Sequence, residues 1–235
     1  LIKQKPFNAN IFVNPRKVKS VIEYLVPFKP LNNIDLTPIV LLFFTSNLIL
    51  TKGEFEEFCE MYSDIRLPFW MQTRPETISD SKIRKLADVG LHRISFGIEH
   101  GNEEFRRRML DRRWKNKDIV EALKIPHRYG VQFSLNNITG FPEETRQLAF
   151  DTVELNRQIT DADNANIYSF VPFHGTPLRK ICEAKGLVSP VSIAKALTDR
   201  PMLRMAQYPV TEIEGLKKNY GPDGSDYYQL ARIFK

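Results

Sequence analysis

Cysteine is nearly missing from this chain: Cys59 and Cys182 are the two thiols in 235 residues. They lie far apart and form no metal-type spacing. Cys59 falls on the apolar stripe Phe55, Phe58, Cys59, Tyr62 and reads as a small core residue; Cys182 sits in a surface-helix pattern. Histidine is also scarce, and His92, His127 and His174 fall on different elements while His100 stands alone, so spacing gives no histidine metal site. Long apolar runs are absent too. The longest, residues 39–44, has the length of a buried strand and not of a membrane span. With 11 Gly and 15 Pro the chain carries no disorder signature, and it has no low-complexity segment. No positive-then-apolar pattern follows Leu1, so a cytoplasmic address is the expectation.

What is present is an ordinary globular composition, 42% hydrophobic and 26% charged. The length suits one large α/β domain, or one domain of a longer precursor. The net charge of +6 is modest but uneven: Arg106, Arg107, Arg108, Arg112, Arg113, Lys115 and Lys117 crowd around Trp114. Such a basic, aromatic-bearing stretch fits contact with nucleic acid or an acidic partner. It fits a solvated helix end better, because Glu103 and Glu104 precede it and no recognition motif accompanies it.

Strand and helix patterns alternate, which argues a parallel sheet with crossover helices. Pro15 opens a helix with Val18, Val21, Ile22 and Leu25 on one face. Strand 39–44, a helix around 54–62 and a strand near 69–73 follow. Ser79 is placed to cap a helix bearing Ile83, Leu86 and Ala87, and Gly90 to end it. Then come a strand at 94–98, a helical region over 102–129 that Pro126 should interrupt, and a strand at 131–138. Residues 145–160 read as a long helix, 166–171 as a strand, and 178–185 as a helix closed by Gly186. Counting 1–3 as a strand gives six βα units: an α/β, partial (β/α)6 TIM-like barrel of parallel strands. The barrel is expected over 1–186, and 187–235 as an irregular C-terminal extension.

Several stretches carry a family resemblance. Phe44-Thr45-Ser46-Asn47, Gln72-Thr73-Arg74, Ser95-Phe96-Gly97-Ile98-Glu99-His100-Gly101, Asn136-x-Ile138-x-Gly140-x-x-Glu143, Pro172-Phe173-His174-Gly175-Thr176-Pro177-Leu178 and Glu212-Ile213-Glu214-Gly215-Leu216 stand in an order and spacing that resemble radical S-adenosylmethionine proteins. The likeness is strongest to the group with an added cobalamin-binding domain. Residues 5–15 resemble that family's cysteine loop with every cysteine replaced: Lys5, Ala9 and Phe12 stand at the CxxxCxxC positions. An ammonium, a methyl and a phenyl group cannot hold a four-iron four-sulfur cluster, which takes thiolates. Thr45 stands where an acid is usual, His100 where a small residue is, and Asn136 where the first glycine of the fifth-strand motif is.

The residues themselves suggest the rest. In a parallel barrel, ligands bind at the C-terminal strand ends. Glu99 there suits a ligand amine or ribose hydroxyls, Arg74 a carboxylate, and Asn136 and Asn137 the mixed donors and acceptors of a nucleoside. Glu99 also suits a helix cap, and Arg74 pairing with Glu76. Glu143 reads as a cap for the helix near Thr145. The reading that results is a non-catalytic, radical-SAM-like scaffold or accessory subunit of a larger assembly. It lacks the cluster and keeps at most residual S-adenosylmethionine or nucleoside binding. The alternatives are an active radical SAM enzyme, for methyl transfer or carbon-radical chemistry, with an unusual cluster site, and a nucleic-acid module using the 106–117 patch.

Overall fold

Buried Phe69, Met71 and Thr73 alternate with half-buried Trp70 and Gln72, the period of two that stands a strand between a helix layer and a more open face. The computed structural model describes residues 11–13, 41–44, 52–64, 66 and 68–219. Strands β1 (Ile11–Val13), β2 (Leu41–Phe44), β3 (Phe69–Thr73), β4 (Leu91–Glu99), β5 (Gln132–Thr139) and β6 (Asn164–Ser169) follow chain order in one sheet. The pairings of β1 with β2, β2 with β3, β3 with β4, and β5 with β6 are all parallel. Residues 1–3, read as a strand from sequence, and the helix at Pro15 lie outside the described residues. β1 falls instead inside the stretch read as a loop. Among the described residues no helix is long and apolar enough to cross a membrane.

The chain divides into two compact units, Leu1–Gly97 with Glu121–Phe133, and Ile98–Val120 with Ser134–Lys235. In the first, helix α1 (Lys52–Ser63) lays Phe58 and Tyr62 on Phe69, with ring centroids 5.8 and 5.1 Å apart. Ser79 caps α2 (Asp80–Asp88) by accepting from the Lys82 amide, and Ile83 and Leu86 form its buried face. Gly90, at φ 116°, turns the chain back, and its carbonyl accepts from the Phe69 amide. The helical region that Pro126 was expected to interrupt is three pieces, α3 (Glu103–Leu110), α4 (Asn116–Ala122) and α5 (Lys124–Arg128).

In the second unit α6 (Arg146–Gln158) starts from Thr145, whose hydroxyl accepts from the Leu148 amide. Helix α7 (Pro177–Ala184) starts from Thr176 in the same way. The core joins Phe105, Phe141, Ala149, Phe170 and Cys182 to Leu203, Met205, Tyr208 and, on α8 (Val210–Asn219), Ile213. The residues beyond 187 thus supply side chains to this core. Each fully buried aromatic or branched side chain contributes roughly 1.5–3 kcal/mol. Arg179 is buried and donates to the carbonyls of Pro172, Ser189, Pro190 and Ser192, which ties the irregular connection after α7 to the unit.

Candidate ligand site at the strand ends

Alternation along β4 buries Ile94, Phe96 and Ile98 and leaves Gly97 and Glu99 half-buried. Glu99 ends the strand at φ 69°, the left-handed region that a residue with a Cβ enters at a cost of about 1 kcal/mol or more. The following residues hold it there. The His100 amide donates to the Ile98 carbonyl at 2.9 Å, and the Gly101 amide to Thr152 Oγ1 on α6 at 2.9 Å. A Cβ on Gly101 would lie 2.2 Å from the Asp151 carbonyl oxygen, so the loop after β4 meets the backbone of α6 with no room for a side chain. The Glu99 carboxylate pairs with Arg112 Nη2 at 3.0 Å, the two side chains 20% and 14% exposed. Asn102, not Glu99, caps α3, its Oδ1 accepting from the Phe105 amide at 2.8 Å. The cap alternative for Glu99 therefore falls away.

Beneath this loop lies a closed polar cluster. His100 and Glu144 are both fully buried, with His100 Nε2 3.2 Å from Glu144 Oε1. His100 Nδ1 accepts from the Asn102 amide, which places the proton of the neutral ring on Nε2, facing the carboxylate. Glu144 Oε2 also accepts from the amides of Gly140 and Phe141, and Thr139 Oγ1 bridges to Tyr208 at 3.2 Å. Burial raises the Tyr208 phenol well above its ordinary value. The cap expected of Glu143 is corrected here: Thr145 caps α6, and Glu144 closes the turn after β5. Glu143 instead pairs with Arg108 and, at 2.6 Å, with Lys185. Hydrogen bonds from Lys185 and Arg108 hold its carboxyl below the usual range.

The two asparagines part company because successive strand residues face opposite ways. Asn137 is fully buried between β5 and α6, exchanging amide hydrogen bonds with Asn156 at 3.3 and 3.0 Å and donating to the Asn166 carbonyl. Its carboxamide is thereby engaged in packing α6 on the sheet. Asn136 lies on the half-buried face of β5, and its Oδ1 accepts from Asn166 Nδ2 at 3.0 Å. Arg74 belongs to the first unit, where it precedes the short helical turn Pro75–Thr77 and its carbonyl accepts from Thr77 Oγ1. It is half-buried, and among the described residues its guanidinium makes no ion pair with Glu76 or any other acid.

Sequence reasoning misses Arg112, which reads there as one member of the basic stretch. The structure disperses that stretch. Arg106 is buried and donates to the carbonyls of His100 and Trp114 and to Asn116 Oδ1. Arg107 pairs with Glu104, Arg108 with Glu143, Arg113 with Asp111, while Lys115 and Lys117 are exposed. The signal for Arg112 was its place thirteen residues after Glu99, across a capped helix whose return brings it back to the strand end.

The thiols are poor metal donors. Cys59 and Cys182 are buried in different units, and desolvation pushes each up to about 11. Lys5 and Ala9 lie outside the described residues, and of Phe12 the backbone in β1 is what is described. Among the described residues, no three His, Cys, Asp or Glu side chains come together as a metal group.

A sequence profile of the radical SAM superfamily matches residues 30–155, more than half of the chain. The chain belongs to the radical SAM superfamily. An uncharacterized methyltransferase of Pyrococcus horikoshii is 24% identical over 147 residues, 61% of this chain and 31% of that protein. The tRNA-2-methylthio-N(6)-dimethylallyladenosine synthase of Halalkalibacterium halodurans is 33% identical over 113 residues, 46% of this chain and 21% of that one. The chain thus spans under a third of the length of these curated relatives. In fold it is similar to the radical S-adenosylmethionine methyltransferase TsrM of Kitasatospora setae, solved with cobalamin and a 4Fe-4S cluster. The TM-score is 0.57 at 16% identity, over 84% of this chain and 40% of that one. The fold class is accordingly the α/β, parallel-stranded, TIM-like partial barrel of radical SAM proteins. Lys5, Ala9 and Phe12 precede the matched residues; none of the three carries a thiolate, and Cys59 and Cys182 lie far from them in sequence.

Proposed function

We propose that this protein is a radical SAM barrel that no longer holds its cluster and works without radical chemistry. It serves as a scaffold or accessory subunit that retains binding of an adenosyl or nucleoside ligand at its strand ends. The observation that carries this reading is the donor set, Lys5, Ala9 and Phe12 with two cysteines elsewhere, since no arrangement of these side chains supplies three thiolates. A cluster, when bound in this superfamily, anchors the methionine part of S-adenosylmethionine and supplies the electron that cleaves it. Without it the ligand's affinity rests on this chain's own polar groups. Glu99 offers its carboxylate to an ammonium or to ribose hydroxyls, Arg112 beside it suits a ligand carboxylate, and Asn136 offers an amide. The left-handed conformation of Glu99 supports this reading, because strain of that kind persists where a side chain must be aimed.

The test joins two measurements. Anaerobic reconstitution with iron and sulfide should leave the protein without stoichiometric metal and without charge-transfer absorbance. Calorimetry with S-adenosylmethionine and S-adenosylhomocysteine should give weak binding of both. Stoichiometric iron would favour the active-enzyme reading, to which the names of the two curated relatives lend support. A nucleic-acid role draws less, because the arginines of the 106–117 stretch are each engaged within the protein.

A further inference from the structure

Three carboxamides stand in a row on the half-buried face of β5 and β6. Asn164 and Asn166 lie two residues apart on β6, and Asn166 is the register partner of Asn136 on β5. Asn164 Nδ2 donates to Asn166 Oδ1 at 3.2 Å, and Asn166 Nδ2 donates to Asn136 Oδ1 at 3.0 Å. Every amide points the same way, so the row is polarised. At one end Asn164 Oδ1 is buried without a hydrogen-bond donor. At the other end Asn136 Nδ2 has no protein acceptor among the described residues.

An amide row can run in two directions, and the buried end decides between them. In the direction observed the buried orphan is a carbonyl oxygen. In the reverse direction it would be the NH2 of Asn164, with two donors unmet, and orphaned N–H groups are the costlier and rarer defect. Each bond also polarises the next, so the terminal NH2 becomes a better donor than an isolated amide. Asn136, which by itself donates and accepts equally well, is therefore committed to donate.

We propose that the Asn164–Asn166–Asn136 ladder is a specificity device, fixing Asn136 as a hydrogen-bond donor that selects a ligand with an acceptor, a purine ring nitrogen, at that point. This rests on the nucleoside-binding reading above and adds the chemistry of the group recognised. Asn164 is then a positioning residue, acting on the ligand only through the two amides between them. A carboxylate at 164 accepts and never donates at neutral pH. Asn164→Asp must therefore reverse the row: Asn166 donates to residue 164, Asn136 donates to Asn166, and Asn136 Oδ1 is left facing the ligand.

The experiment measures the affinity of the wild-type chain, Asn164→Asp and Asn136→Asp for S-adenosylhomocysteine and its 1-deaza, 3-deaza and 7-deaza analogues, each lacking one ring acceptor. For the wild type one analogue should bind about tenfold more weakly than the parent, the loss of a single hydrogen bond. In Asn164→Asp that discrimination should vanish, although residue 164 touches no ligand, and Asn136→Asp should behave alike. Asn164→Leu, which breaks the row without reversing it, should retain part of the discrimination, and this separates reversal from general damage. Equal binding of all analogues by the wild type, or undiminished discrimination in Asn164→Asp, would overturn the proposal while leaving the ligand reading intact. If no adenosyl ligand binds, the ligand reading and the ring-nitrogen assignment fall together. The polarity of the row is then read separately from side-chain amide NMR. One slowly exchanging, hydrogen-bonded proton is expected on each of Asn164 and Asn166 and none on Asn136, and the opposite pattern would refute it.

Discussion

At the scale of single residues the sharpest expectations concern Glu99. Its φ of 69° is free for glycine and strained for alanine, so Glu99→Gly should be more stable than Glu99→Ala by about 1 kcal/mol. Both should bind an adenosyl ligand about tenfold more weakly, as expected for the loss of a charge-assisted bond worth about 1.4 kcal/mol. Urea unfolding alongside calorimetry checks the two effects separately, and equal stability of the two variants would show that the strand end relaxes in solution. The thiols give a second check. With desolvation holding Cys59 and Cys182 at about 11, both are protonated at pH 8 and should resist alkylation until the protein unfolds, as mass spectrometry would read. Glu143 gives a third. Its folded carboxyl lies below its unfolded value of about 4.3, so its contribution to stability is present at neutral pH and fades as acid carries the pH down through the folded value. The stability gap between wild type and Glu143→Gln should thus close in acid. Solvent screening keeps that gap under about 1 kcal/mol.

Among the elements, the loop joining β4 to α3 carries the most constraint in the fewest residues. Gly101 meets the α6 backbone, Asn102 caps α3 and donates to Asp151, and Arg106 reaches back to the His100 carbonyl. A methyl at 101 has backbone, not a movable side chain, in its way, so Gly101→Ala should cost about 3 kcal/mol, with Asn102→Ala costing about 1. Denaturant midpoints check both, and a neutral Gly101→Ala would mean that the loop can lift from α6. This is also where the limits of sequence reading are plainest. Ser79 and Gly90 were legible as punctuation because caps and helix stops are local events settled within four residues. The job of Glu143 was misread because two adjacent glutamates look alike in sequence, and only the turn after β5 aims one inward at the Gly140 and Phe141 amides and the other outward at Arg108 and Lys185.

For the molecule as a whole, the arginines of the 106–117 stretch are spent on ion pairs and on carbonyls. Binding to a labelled RNA duplex should therefore be weak and shallow in its salt dependence, and a steep slope at physiological salt would restore the nucleic-acid reading. On the proposed function the same chain should take up no iron–sulfur cluster on reconstitution, and stoichiometric iron and sulfide would overturn that reading. The sequence by itself determined the alternation of strands and helices from residue 69 onward, the parallel α/β class and the family. These depend on period, on punctuation and on which atoms exist, all of them properties of neighbours along the chain. Only the tertiary structure decided that Arg112 belongs to Glu99, that Asn137 serves the packing of α6 while Asn136 joins an amide row, and that His100 is locked against Glu144. Each of those partnerships joins residues from 13 to 44 positions apart, and a carboxamide or a guanidinium carries no mark of its partner until the backbone has brought the two within 3 Å or so.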